Sequence, residues 1–324
     1  MELKFNNDVE AVEALVDKYK ELRTEIAKVI VGQDDTVKNI LMAMFSRSHA
    51  LLIGVPGLAK TLMITTIAKT INLTYNRIQF TPDLMPSDIM GTEILDESRK
   101  FKFVKGPIFA NIVLADEINR TPPKTQSALL EAMQERSVSM NGTTYQLPEP
   151  FFVLATQNPI EQEGTYPLPE AQQDRFMFNI QLDYPNFNDE VDIVKNTIHG
   201  EMATPNQVLS IDEIVFFQKL LQKIPIADNI YQYAVRLTNL TRPGTETAHP
   251  WANDYLTWGA GPRASQFLII GARTHAILSG KYSPDIEDVK AVAHNILRHR
   301  IIRNYKAEAE GITIEDIINK LLDA

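Results

Sequence analysis

The chain has 324 residues, 44% of them apolar and 23% charged, with a formal charge of −9 and no cysteine. That length supports two domains around a substantial core, the lack of cysteine excludes disulfides, thiolate metal sites and cysteine nucleophiles, and the acidity speaks against a general nucleic-acid surface. No stretch approaches the ~20 apolar residues of a membrane span, and the amino terminus, MELKFNNDVEAVEALVDKYK, lacks the basic start and apolar run of a secretory leader, so a cytoplasmic protein is expected.

Val12, Leu15, Val16, Tyr19, Leu22, Ile26, Val29 and Ile30 recur at three- and four-residue spacings and predict one amphipathic helix, broken at Val31-Gly32-Gln33. Four short apolar runs follow, at 50–53, 78–80, 112–115 and 151–155. Several are continuous rather than alternating, as in strands buried on both faces of a parallel sheet. Helical segments at 60–71 and 124–135 separate them, which predicts a three-layer α/β domain whose ligands sit at the carboxyl ends of its strands. Two inserts interrupt the alternation: 88–107, and 137–147 centred on Asn141-Gly142. Both read as added β-hairpins. After a strand ending near Leu182, Tyr184-Pro185-Asn186 reads as a linker, and helical periodicity takes over at 189–198, 211–223, 228–240, 263–279, 285–302 and 314–322. The expected organisation is therefore an α/β domain over 1–185 followed by an all-α domain over 186–324.

The stretch Gly54-Val55-Pro56-Gly57-Leu58-Ala59-Lys60-Thr61, with Leu62 after it, follows a strand and opens a helix. Its amides and the helix start point at anionic oxygens, Lys60 can reach terminal phosphates, and the Thr61 hydroxyl can bind Mg²⁺. By itself the loop also fits an ordinary glycine-rich turn. Ala59 stands where glycine is usual, and alanine is expected there only if the backbone keeps φ below zero. Asp116 and Glu117 end a buried strand, where Asp116 can hold a metal through water and Glu117 can deprotonate an attacking water. Acidic residues after a strand also serve as helix caps, but the loop and the carboxylate pair together, both at strand ends, point to nucleotide hydrolysis. Asn158 ends a third strand, where its amide can position the water; an Asn-Pro turn is the plainer reading. Arg175 precedes the last strand, and its neighbour Asp174 is poorly placed to neutralise it. Arg263 opens a helix, where the macrodipole disfavours a cation and an anionic partner would repair the mismatch. The histidines form no metal-like cluster, and Trp251 and Trp258 read as packing anchors.

In this order, GVPGLAKT, LADEINR, LATQNP, LPEAQQDRF and GPRA resemble the motif set of the AAA+ ATPases, and within them the MoxR group, over nearly the whole chain from about Val29 to Arg303. The resemblance implies a P-loop AAA+ domain followed by a helical lid, with ATP and Mg²⁺ as cofactors. It places Val31, Gly32 and Gln33 at the adenine, the loop from Gly54 to Leu62 on the phosphates, and Thr61 and Asp116 on the metal. Glu117 becomes the catalytic base, Asn158 the first sensor, Arg175 the arginine finger and Arg263 the second sensor. The insert at 88–107 matches the helix-2 insert, and 137–147 matches the hairpin before the first sensor. The resemblance also implies a hexameric ring and a protein client reached through a partner carrying a von Willebrand factor A domain. The work expected is chaperone-like remodelling, assembly or metal-cofactor insertion. The motor subunit of a metal chelatase is the alternative, and a nucleic-acid translocase, opposed by the acidity, is a further one; no nucleic acid is expected as partner.

Overall fold

The computed structural model describes residues 5, 7–95, 97, 99–161, 164–198 and 203–324. Parts of the amino-terminal segment and of the 88–107 insert read above lie outside them. Helix α1 (Asp8–Ala27) buries Val12, Leu15, Val16, Tyr19, Leu22 and Ile26, the predicted stripe. Asn7 caps it by accepting the Glu10 amide at 2.8 Å. A second helix, α2 (Asp34–Phe45), was not expected. Its buried residues run unbroken from Ile40 to Phe45, so no stripe marks it.

The sheet domain then follows: β1 (Ala50–Gly54), α3 (Lys60–Thr70), β2 (Tyr75–Gln79), α4 (Pro86–Met90), β3 (Gly91–Leu95), β4 (Phe101–Lys105), β5 (Ile112–Asp116), α5 (Pro123–Glu135), β6 (Ser137–Met140), β7 (Thr143–Gln146), β8 (Phe152–Gln157), α6 (Glu170–Gln173) and β9 (Phe178–Leu182). Five strands form a parallel sheet in the order β2-β5-β8-β1-β9. Alternate side chains on each strand enter different cores. Leu52, Leu114, Leu154 and Ile180 pack with α1, α2 and α3, whereas Leu51, Val113 and Val153 meet Leu129 and Met133 of α5. Both faces are covered, which explains the continuous apolar runs. The two inserts are antiparallel hairpins, β3–β4 and β6–β7. In the second, Asn141 and Gly142 both take positive φ, 48° and 81°, as a tight two-residue hairpin turn requires.

Past Tyr184 the chain is mainly helical: α7 (Phe187–Ile198), α8 (Ile211–Lys223), α9 (Asp228–Leu240), α10 (Pro250–Tyr255), β10 (Leu256–Trp258), α11 (Pro262–Leu278), α12 (Ile286–Leu297), β11 (Ile302–Arg303), α13 (Tyr305–Ala309) and α14 (Ile314–Leu322). Ser210 with Glu213, and Asp285 with Asp288, form capping boxes that start α8 and α12. The predicted helix over 285–302 stops at Leu297, because Arg300 turns inward to donate to the carbonyls of Asp174 and Phe176, and β11 then pairs with β10. Trp258 is 66% exposed and anchors no core, contrary to expectation. Helices α8, α9, α11 and α12 share one continuous core with α1, α2 and α3, so the helical part is packed against one side of the sheet domain. Among the described residues no helix is long and apolar enough to cross a membrane.

Candidate active site

The carboxyl ends of β1, β2, β5 and β8 converge on one edge of the sheet. Gly54 leads into the loop before α3, Asp116 and Glu117 end β5, and Asn158 follows β8. The first hydrogen bond of α3 runs from the Met63 amide to Ala59 O, so the amides of its first turn precede the helical ladder and are free to meet an anion. Ala59 itself has φ 54° and ψ 26°, in the left-handed region. The expectation of a negative φ is overturned: alanine is held where glycine is the relaxed choice, a strain of about 1 kcal/mol.

The Lys60 ammonium donates to Gly54 O. Burial pulls its pKa below the usual lysine range, while Asp116 and Glu117 pull the other way. Among the described residues no carboxylate forms an ion pair with it, and a phosphate would add a close counter-charge. Beside the loop lies a cavity of about 510 Å³. Val31, Gln33, Gly57, Leu58, Ala59 and Leu62 form one wall, and Tyr184, Glu190 and Val194 of the linker and α7 form the other. Its size suits a nucleobase and ribose. Gly32 does not line it: with φ 72° it lets Asp189 of α7 approach so closely that a Cβ would collide with it.

The carboxylates are held by residues that sequence reading had missed. Asp116 Oδ1 accepts from Thr156 Oγ1 at 2.7 Å, and its Oδ2 accepts from Arg77 Nε at 3.0 Å and Nη2 at 2.6 Å. Glu117 sits at φ 56°, its amide donating to Thr156 Oγ1 at 2.9 Å. Its Oε2 accepts from Gln79 Nε2 at 2.7 Å and Arg120 Nη1 at 3.0 Å. Arg77 Nη2 also donates to Gln79 Oε1. The available signal was the alternation in Arg77-Ile78-Gln79, which places two polar side chains on one face of the strand beside Asp116. Asn158 is buried at the same edge, its Oδ1 accepting the Ile160 amide at 3.1 Å, so here it also closes the turn.

The donor set fits Mg²⁺. Among the described residues no group of three or more His, Cys, Asp or Glu could cage a metal. One carboxylate, Asp116, and one hydroxyl, Thr61, beside a helix start with free amides are what Mg²⁺ takes when substrate oxygens complete its shell.

The two predicted arginines lie elsewhere. Phe178 pairs with Ala50 and Leu182 with Gly54, so Arg175, three residues before Phe178, sits at the edge where the strands begin. Its Nη1 donates to Leu130 O at 2.7 Å. Arg263 is brought to the same place: its Nη1 donates to Asp174 Oδ2 at 3.0 Å, while Arg300 Nε donates to Asp174 Oδ1 at 2.7 Å. The anionic partner that Arg263 requires at its helix start is thus Asp174, the residue next to Arg175. The paired strand from Phe178 to Leu182 separates this cluster from the loop before α3 by roughly 13 Å, at ~3.3 Å per residue.

A parallel sheet with a strained loop before α3, a carboxylate pair two strands away and a helical domain behind it defines an AAA+ type nucleotide site. The model of the ATPase family associated with various cellular activities (AAA) matches residues 49–178, and that of the AAA lid domain matches residues 250–321. The chain is 44% identical to Chaperone MoxR1 of Mycobacterium tuberculosis over 92% of its own length and 79% of that protein. It is 31% identical to Protein MoxR of Methylorubrum extorquens, over 86% and 85%. A solved structure from Cytophaga hutchinsonii superposes with a TM-score of 0.91 at 43% identity, covering 97% of this chain and 96% of that one. The chain belongs to the MoxR family of AAA+ ATPases.

Proposed function

We propose that the chain is a Mg²⁺-dependent ATPase that works as a ring, each nucleotide lying between the strand ends of one subunit and the Arg175–Arg263 edge of the next. The observation that carries this reading is the separation within one chain of Lys60, Asp116 and Glu117 from both arginines. In a lone subunit the guanidinium that would neutralise charge developing on the transferred phosphoryl group is a strand's length away; a neighbour can supply it. Lys60 and the amides of the loop hold the phosphates, while Val31 and Gln33 close on the base. Glu117 takes the proton of the attacking water, and Asn158 orients that water. Thr61 and Asp116 would hold Mg²⁺, which would supply neutralisation of the phosphate charge. A hexamer is the ring we infer.

The work done is chaperone-like remodelling or assembly of a protein client, reached through a partner with a von Willebrand factor A domain. The name of the mycobacterial relative, a chaperone, supports this reading. The test is ATP hydrolysis measured against protein concentration, with mass followed by light scattering. Activity per chain should climb as the ring forms and require Mg²⁺; activity that is flat from monomer upward defeats the proposal.

A further inference from the structure

Arg77 is the one strong donor on Asp116 that the nucleotide chemistry does not call for. It lies on β2, an edge strand of the sheet, with its side chain 46% exposed, while the Asp116 side chain is only 14% exposed. Two of its nitrogens converge on Asp116 Oδ2, and Thr156 takes one position on Oδ1. A carboxylate offers about four lone-pair sites. Three are therefore filled by protein donors, and both on Oδ2 belong to a full positive charge. A hydrated Mg²⁺ drawing on Asp116 meets that charge directly, and two cations do not share one carboxylate cheaply. Because the guanidinium is half exposed, it has solvent to swing into, and its ion pair is of the weak, surface kind.

Arg77 also reaches the base. A guanidinium only donates, so the Gln79 amide must turn its Oε1 toward Arg77, which leaves Nε2 facing Glu117. Asp116, Arg77, Gln79 and Glu117 thus form one chain of hydrogen bonds in which the first and last members are the metal carboxylate and the general base.

We propose that Arg77 is a counter-ion exchanged for Mg²⁺ at Asp116. Arg77 is a positioning residue, acting through Asp116. The inference rests on the proposed nucleotide chemistry, and the experiment separates the two.

A fluorescent N-methylanthraniloyl ADP is titrated into wild type, Arg77→Met and Arg77→Lys, first in EDTA and then at rising Mg²⁺. Affinity in EDTA should be alike in wild type and Arg77→Met, whose aliphatic stem still covers β2. The Mg²⁺ concentration at half effect should fall about five-fold in Arg77→Met, the worth of one exposed ion pair. Arg77→Lys, which keeps the charge but cannot hold Asp116 and Gln79 together, should fall less. It also serves if the methionine variant does not fold. A midpoint unchanged or raised in both variants overturns the exchange and makes Arg77 a plain support for Asp116. If the wild type binds no nucleotide with or without Mg²⁺, the proposed function itself falls, and the inference with it.

Discussion

Replacing Asp174 by asparagine tests the joint between the two domains and the arginine cluster together. Arg300 is almost wholly buried, and burial pulls its guanidinium down to about 10, although Asp174 draws it back up. Removing the partner of a buried ion costs about 3 to 5 kcal/mol. Here the loss is smaller, because Asp174 is 31% exposed and Arg300 keeps the carbonyls of Asp174, Phe176 and Met177 as acceptors. We therefore expect about 2 kcal/mol, the scale of one hydrogen bond between charged groups. Asparagine can still offer one oxygen. Arg300, the more buried donor, will claim it, which turns the new amide nitrogen toward Arg263 Nη1, donor against donor. Arg263 is then released from the position beside Arg175. Asp174→Asn should melt roughly 4 °C below wild type, from about 2 °C per kcal/mol in a chain of this size, and should lose ATPase activity even where it is fully folded. Melting within a degree of wild type, with full activity, would refute this account of Asp174.

Acid should weaken the fold through His49. Its ring is buried, Nδ1 accepts the Val153 amide at 3.0 Å and Nε2 donates to Met133 O at 3.3 Å, so the neutral form is the one that fits. Burial, with Arg136 adding a smaller push, lowers its pKa from 6.5 to about 4, and the Met133 carbonyl opposes this. Below pH 6.5 the unfolded chain takes up a proton that the folded one refuses, so stability is complete above that value and falls toward pH 4. The total is about 3 kcal/mol at 1.36 kcal/mol per pKa unit. His299 is buried as well and burial pulls it well below its ordinary value, so His49→Asn should keep part of the acid loss. Between pH 7.5 and 4 it should lose less stability than wild type by about the 3 kcal/mol assigned to His49, and equal losses would contradict the reading. Ala59→Gly should raise stability by about 1 kcal/mol through release of the left-handed alanine and keep nucleotide binding; a loss of stability in thermal melts would show that Ala59 carries no strain.

Much of the sheet was legible because β1, β5 and β8 are buried on both faces and so read as apolar blocks. β2 was read three residues late, at 78–80. As an edge strand with half-exposed Tyr75, Asn76 and Gln79 it lacks that signature, and the misplacement left Arg77 outside the expected strand. That the loop before α3 and the Asp116–Glu117 pair share one edge of the sheet was legible because contiguous residues at strand ends carry them. What holds them could not: Thr156, Arg77 and Gln79 come from neighbouring strands. Asp174 with Arg263 and Arg300 is likewise a pairing across 89 and 126 residues that no local pattern announces. Ala59 was misjudged for a different reason. Local preference favours negative φ, and at Ala59 the fold overrules it.

The central claim is that Arg175 serves a nucleotide held by another copy of the chain. Glu117→Gln lacks the proposed base but keeps its arginine edge, and Arg175→Ala keeps that base but lacks the proposed finger. Mixed in equal amounts, the two inactive proteins should regain part of the wild-type ATPase rate, because some interfaces then pair an intact Glu117 with an intact Arg175. A mixture as inactive as its components, or an Arg175→Ala protein that hydrolyses ATP at the wild-type rate, would contradict the claim.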